Sequence, residues 1–124
     1  MKLLSKPLPE ETDSLINNKI VRSLERWVLD RKFCAGYDDM EAVARDLDIS
    51  AEQLGFFCTS VLGERFFSWR KGLRMRYAAF LLSIDNEIPT SSVGRMVGVS
   101  DKSDFRRQFM ECFKVTPEQW RQQF

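Results

Sequence analysis

Lys102, Ser103, Arg106 and Arg107 fall within six residues of a stretch whose Phe105 and Phe109 stand one helical turn apart, so at helical spacing the polar four leave the apolar face. Arginine presents paired, planar N–H donors that match two acceptors at once, as on a guanine edge, a carboxylate or a phosphate. A second basic set lies further back at Arg70, Lys71 and Arg74, where Arg70 and Arg74 are one turn apart, a spacing suited to a row of phosphates. Both sets also read as ordinary solvated charge. This is binding chemistry. The chain has no histidine, which removes the commonest general base and metal ligand. Its three cysteines, Cys34, Cys58 and Cys112, have no C-x-x-C spacing and read as reduced thiols. No nucleophile motif or glycine-rich phosphate loop is present, so an enzyme is the poorest reading; no catalytic residue, cofactor or metal is expected.

Such side chains need rigid elements behind them, and a repeat supplies these. Ala44, Asp48, Ile49 and Ser50 recur as Gly94, Gly98, Val99 and Ser100 at an offset of 50. After one extra residue the offset is 51, pairing Leu54 with Phe105, Cys58 with Phe109, Leu62 with Phe113, Trp69 with Trp120 and Arg70 with Arg121. Each copy reads as helix, tight turn, helix. In the first, a helix over 39–47 is followed by a turn at Asp48 and a capping box of Ser50 with Gln53; the next helix buries Leu54, Phe57, Cys58 and Val61 and stops near Gly63. In the second, a helix from Thr90 or Ser91 to Val97 is followed by Gly98 and a cap at Ser100; the next buries Phe105, Phe109, Cys112 and Phe113. Thr116, Pro117 and Gln119 open a last short helix that gives Trp120 a place to pack.

Around the repeats, residues 9–32 carry Ile16, Ile20, Leu24, Trp27 and Val28 at helical spacing, the pattern of a packing helix. Residues 66–82 read as a strut with Phe66, Trp69, Leu73, Tyr77, Phe80 and Leu81 inward. Trp27, Trp69, Trp120, Phe66 and Phe80 are assigned to the core and not to base stacking. Neither Gly72 in the strut nor Lys114 at a helix end has an account from sequence.

The 124 residues and 44% hydrophobic content suffice for a core. No apolar run is long enough to span a membrane, and Pro7 and Pro9 cut short the apolar start, which reads as a frayed arm and not as a signal peptide. The net charge of +1 is uneven: residues 38–62 hold one basic and six acidic groups, whereas residues 63–76 hold five basic and one acidic. A polyanion would meet the middle and the C-terminal part.

The segment 94–121, Gly-Arg-Met-Val-Gly-Val-Ser-Asp-Lys-Ser-Asp-Phe-Arg-Arg-Gln-Phe-Met-Glu-Cys-Phe-Lys-Val-Thr-Pro-Glu-Gln-Trp-Arg, resembles the C-terminal signature of the AraC/XylS family of bacterial transcription regulators, and the resemblance extends over about residues 15–121. It implies an all-α fold, a seven-helix bundle of two helix-turn-helix subdomains joined by a long linker helix. The expected organisation is 1–63 for the arm, packing helix and first unit, 64–86 for the linker helix, and 87–124 for the second unit and last helix. The length suits members without a separate sensing domain and equally an excised domain. The implied function is sequence-specific binding of double-stranded DNA in transcription regulation. The second unit dominates, with Lys102, Ser103, Arg106 and Arg107 at bases and Arg70, Lys71 and Arg74 at phosphates. RNA polymerase is a second candidate partner; no membrane and no small-molecule ligand is expected, and the location expected is cytoplasmic, on the nucleoid.

Two departures stand out. Asp104 places a carboxylate near the groove, tolerable where it reads cytosine or pairs with an arginine. The first recognition helix offers Glu52, Gln53, Phe56, Thr59 and Ser60, and no positive charge lies between Arg45 and Arg65. Gln53 suits adenine and Phe56 a thymine methyl group; alternatively Phe56 covers core or meets a protein, and the domain is a degenerate copy serving protein–protein interaction.

Overall fold

In the computed structural model, which describes residues 9–36 and 39–123 with side chains from residue 15, apolar stripes at helical spacing produce seven α-helices and, among the described residues, no strand. They are α1 (Pro9–Leu29), α2 (Met40–Asp46), α3 (Ala51–Phe57), α4 (Phe66–Ile84), α5 (Thr90–Met96), α6 (Lys102–Phe113) and α7 (Pro117–Arg121). The expected N-terminal arm lies outside the described residues. Helix α1 stops three residues short of its expected end, because Arg31 takes a left-handed φ of 58° and a 3-10 turn, Lys32–Cys34, follows.

Two cores form, one at each end of α4. Ile20, Leu24, Trp27, Phe33, Val43, Ala44, Leu47, Leu54, Phe57, Cys58 and Phe66 fill the first. The second holds Met75, Ala78, Ala79, Leu81, Leu82, Val93, Val97, Val99, Phe105 and Phe109. The 19 residues of α4 span about 28 Å at about 1.5 Å per residue. Its buried side changes along its length: Phe66, Trp69 and Leu73 serve the first core, Met75, Ala78, Ala79 and Leu82 the second. Continuing the first stripe therefore leads outward at Phe80, which is exposed and stacks on Tyr77 at 6.3 Å and 15°, against the expectation that it is core.

The repeat is visible in the turns. The Ile49 N–H donates to the Ala44 carbonyl at 3.0 Å, and the Val99 N–H donates to that of Gly94 at 2.8 Å. Asp48 and Gly98 both take left-handed angles, φ 59° and 95°. A Cβ on Gly94 would lie 2.9 Å from the Phe105 ring, so the small residue is what lets α6 sit on α5.

Three further expectations are corrected. After Phe57 the chain widens into a π turn, Cys58–Leu62, which rotates Val61 outward and brings Leu62 against the first core. Ser100 is not the cap of α6: Asp101 is, its side chain accepting the Asp104 N–H at 2.8 Å, because the extra residue of the second copy puts Asp101 in the place that Ser50 holds in the first. Cys112 is exposed; Phe113 takes the inward position, with its ring 4.9 Å from that of Trp120. The last helix opens as expected on Thr116 and Gln119, and the Trp120 indole N–H donates to the Ala79 carbonyl and the Ser83 hydroxyl, both at 3.1 Å. Lys114 ends α6 at φ 66°, its ammonium bonding the Glu111 carbonyl at 3.1 Å, a cationic substitute for the usual glycine.

Candidate nucleic-acid interface

Asp101 starts α6, Phe105 and Phe109 anchor it, and what remains outward at its N-terminal half is Lys102, Ser103, Asp104, Arg106 and Arg107, all exposed. Lys102, Ser103 and Arg106 form one wall of a shallow groove whose other side is Thr90, Ser91 and Glu118. Neighbouring carboxylates order the guanidinium groups. Arg106 pairs with Glu118 of α7 at 3.3 Å, and Arg107 lies between Asp104 at 3.2 Å and Glu111 at 3.4 Å. The Asp104 hydrogen bond and the charge of Glu111 raise the Arg107 pKa, so it stays a cation. Asp104 thus takes one of its two expected roles, pairing with an arginine. Each pair is exposed and therefore weak, so an incoming phosphate or guanine displaces it at small cost.

Lys71 of α4 joins this set, pairing with Glu111 at 3.5 Å, so Lys71, Glu111, Arg107 and Asp104 form a continuous chain of charges. Arg70 and Arg74 do not. They are 8% and 7% exposed, which removes them as phosphate contacts. The Arg70 guanidinium sits 4.7 Å from the Phe67 ring. Arg74 donates to three backbone carbonyls, those of Phe33 and Ala35 at 2.6 Å each and that of Gly98 at 3.4 Å. Arg74 thus faces the junction of the two units and not solvent.

On α3 and the π turn that follows it, Gln53, Thr59 and Ser60 turn back onto their own segment. The Gln53 side-chain oxygen accepts the Ser50 N–H at 3.0 Å, closing the capping box. The Thr59 hydroxyl donates to the Gly55 carbonyl at 3.2 Å and that of Ser60 to the Phe56 carbonyl at 2.6 Å. Phe56 is 65% exposed and lines a cleft with Ile16, Asn17, Ile20, Glu52 and Gln53, so its ring does not cover core. Glu111 and Glu118 are the site residues that sequence reasoning missed. The first was legible as the i+4 partner of Arg107, whereas the second reaches Arg106 only through the packing of α7.

A family model described as a helix-turn-helix domain matches residues 43–123, about two thirds of the chain and both repeats. Among solved structures, the C-terminal domain of AraT, a response regulator from Geobacillus stearothermophilus, superposes with a TM-score of 0.73 at 26% identity, covering 86% of this chain and 85% of that one. A transcriptional regulator from Chromobacterium violaceum, described as containing an AraC-type DNA-binding domain, gives a TM-score of 0.74 at 21% identity over 86% and 91% of the two chains. The chain belongs to the AraC-type helix-turn-helix family. A protein of unknown function from Listeria innocua has the same fold as this chain, with a TM-score of 0.70 at 23% identity over 83% of this chain and 95% of its own. No curated protein sequence gave a match. AraC-type domains are DNA-binding domains of transcription regulation, and this chain has that function; a role confined to protein–protein interaction is not favoured. Among the described residues no helix is long and apolar enough to cross a membrane, and no three Cys, Asp or Glu side chains gather as a metal site.

Proposed function

We propose that the chain reads double-stranded DNA sequence-specifically, with α6 as the principal reader in the major groove. Lys102, Ser103, Arg106 and Arg107 meet base edges, and Lys71 meets a flanking phosphate. The observation that carries this reading is the exposed, ion-pair-ordered cationic face of α6 set against a first recognition helix without positive charge. Phe56 supplies an apolar contact to a thymine methyl group, so α3 adds shape and α6 adds charge. The working division is 1–63, 64–86 and 87–124, with 64–86 linking two readers of one duplex face. The partners are DNA and RNA polymerase, in the cytoplasm; no reaction is catalysed and no small molecule is bound by this domain.

The test is selection from randomised duplexes of about 30 base pairs, followed by affinity and salt titration of the winning sequence. Arg106→Ala with Arg107→Ala is expected to lose about 1–3 kcal/mol per bidentate base contact and to relax specificity at the matching positions. Enrichment that survives this double substitution unchanged would shift the reading to α3. No enrichment at low salt from folded protein would defeat it.

A further inference from the structure

Three parts of the molecule converge on the Arg74 guanidinium. It rises from the middle of α4 and donates to the carbonyls of Phe33 and Ala35, in the connector between α1 and α2, and to that of Gly98, in the turn between α5 and α6. The Phe33 side chain is embedded in the first core, and Val99, next to Gly98, in the second. Connector and turn touch directly: a Cβ on Gly98 would lie 2.6 Å from the Cys34 carbonyl oxygen and 2.9 Å from the Arg74 Cζ. A single buried cation thus ties the backbone of one helix-turn-helix unit to that of the other, through charge-assisted bonds that are stronger than neutral ones. In the first unit the left-handed turn carbonyl, that of Asp48, instead receives the exposed Lys19 ammonium at 3.1 Å, so the inter-unit tie belongs to the second turn.

We propose that Arg74 is the positioning residue that fixes how α3 and α6 stand relative to each other, and so fixes the spacing between the two DNA segments that the chain accepts. It bonds carbonyls of two connecting segments, so its loss loosens the junction without emptying either core. The inference rests on the reading above in requiring both units to touch one duplex. A shift of one base pair turns a site by about one tenth of a helical turn, which a rigid pair of units cannot follow and a loose pair can.

The experiment has two arms, both on the full chain. In a Cys34→Ala background, nitroxides on exposed Cys112 of α6 and on Glu52→Cys of α3 report the inter-helix distance by pulsed electron resonance. The parent should give one narrow distance. Arg74→Met should broaden or shift it while urea unfolding still shows a cooperative protein, and Arg74→Lys, which keeps charge but not the fork of donors, should lie between. Should Arg74→Met not fold, Arg74→Lys carries the comparison. A distance distribution unchanged in the folded variants overturns the proposal.

In the second arm, the two selected half-sites are separated in single base-pair steps around the roughly 10.5 base pairs of one turn. The parent should prefer one spacing by about tenfold, and Arg74→Met should accept neighbouring spacings within about threefold of the best. Equal sharpness in parent and variant overturns the proposal. A parent indifferent to spacing refutes two-unit reading of DNA and removes the spacing claim, while the distance arm still decides whether Arg74 orients the helices.

Discussion

Replacing Gly98 by Ala isolates the junction of the two units. The backbone there has φ 95°, and the added Cβ would approach the Cys34 carbonyl oxygen at 2.6 Å and the Arg74 guanidinium carbon at 2.9 Å. A left-handed angle costs an L-residue about 1–2 kcal/mol. Crowding against a backbone oxygen that is itself held by packed neighbours adds about 1–3 kcal/mol. The sum, about 2–5 kcal/mol, is a large share of the roughly 5–15 kcal/mol that holds a domain folded, and corresponds to a melting point lower by about 10–20 °C. Asp48, the equivalent position in the first copy, has φ 59° and a side chain 96% exposed, so Asp48→Ala meets no such crowding and should lose about 1 kcal/mol or less. Urea and thermal unfolding of the two variants beside the parent measure the difference. A loss below about 1 kcal/mol at Gly98, or equal losses at both positions, would refute the argument that the two units meet in direct backbone contact.

Asp101→Ala should destabilise the protein by about 0.5–2 kcal/mol, whereas Ser100→Ala should be close to neutral in the same unfolding assay, since Asp101 holds the cap of α6. Cys112 should be modified by a thiol reagent in the native protein at neutral pH while Cys58 is protected, because Cys58 is buried and desolvation, helped by the Glu64 charge, pushes its pKa from 9.0 up to about 11. Cys58 ionises more readily in the unfolded chain, so its contribution to stability is complete below about pH 9 and should fall as the pH rises from there to about 11, with a Cys58→Ala variant lacking that slope.

The roles in this molecule divide by what each copy does with its polar groups. On α6, exposed carboxylates hold two arginines in place at an energy low enough for DNA to compete. On α3 and the π turn after it, the glutamine and the two hydroxyls bond their own segment, and a phenylalanine is left outward. The two faces follow one backbone plan with different chemistry, and the proposed reading gives the second copy most of the attraction to a polyanion.

Local pattern determined much of this. The offset repeat, the apolar spacing of α1 and α6, the capping boxes at Ser50 and Thr116, and the left-handed turns at Asp48 and Gly98 all depend on residues within a few positions of one another, and these are legible without the fold. The outward face of α6 followed from Phe105 and Phe109 for the same reason. What tertiary structure alone decided concerns residues whose surroundings come from far along the chain. Helix α4 touches two cores on different sides, so its periodicity did not reveal that Phe80 points out or that Arg70 and Arg74 point in. A basic residue one turn from another looks solvated in sequence; Arg74 is buried because carbonyls 41, 39 and 24 residues away converge on it. Such burial is set by which backbone groups need a donor once the helices have packed, a condition that no local spacing records.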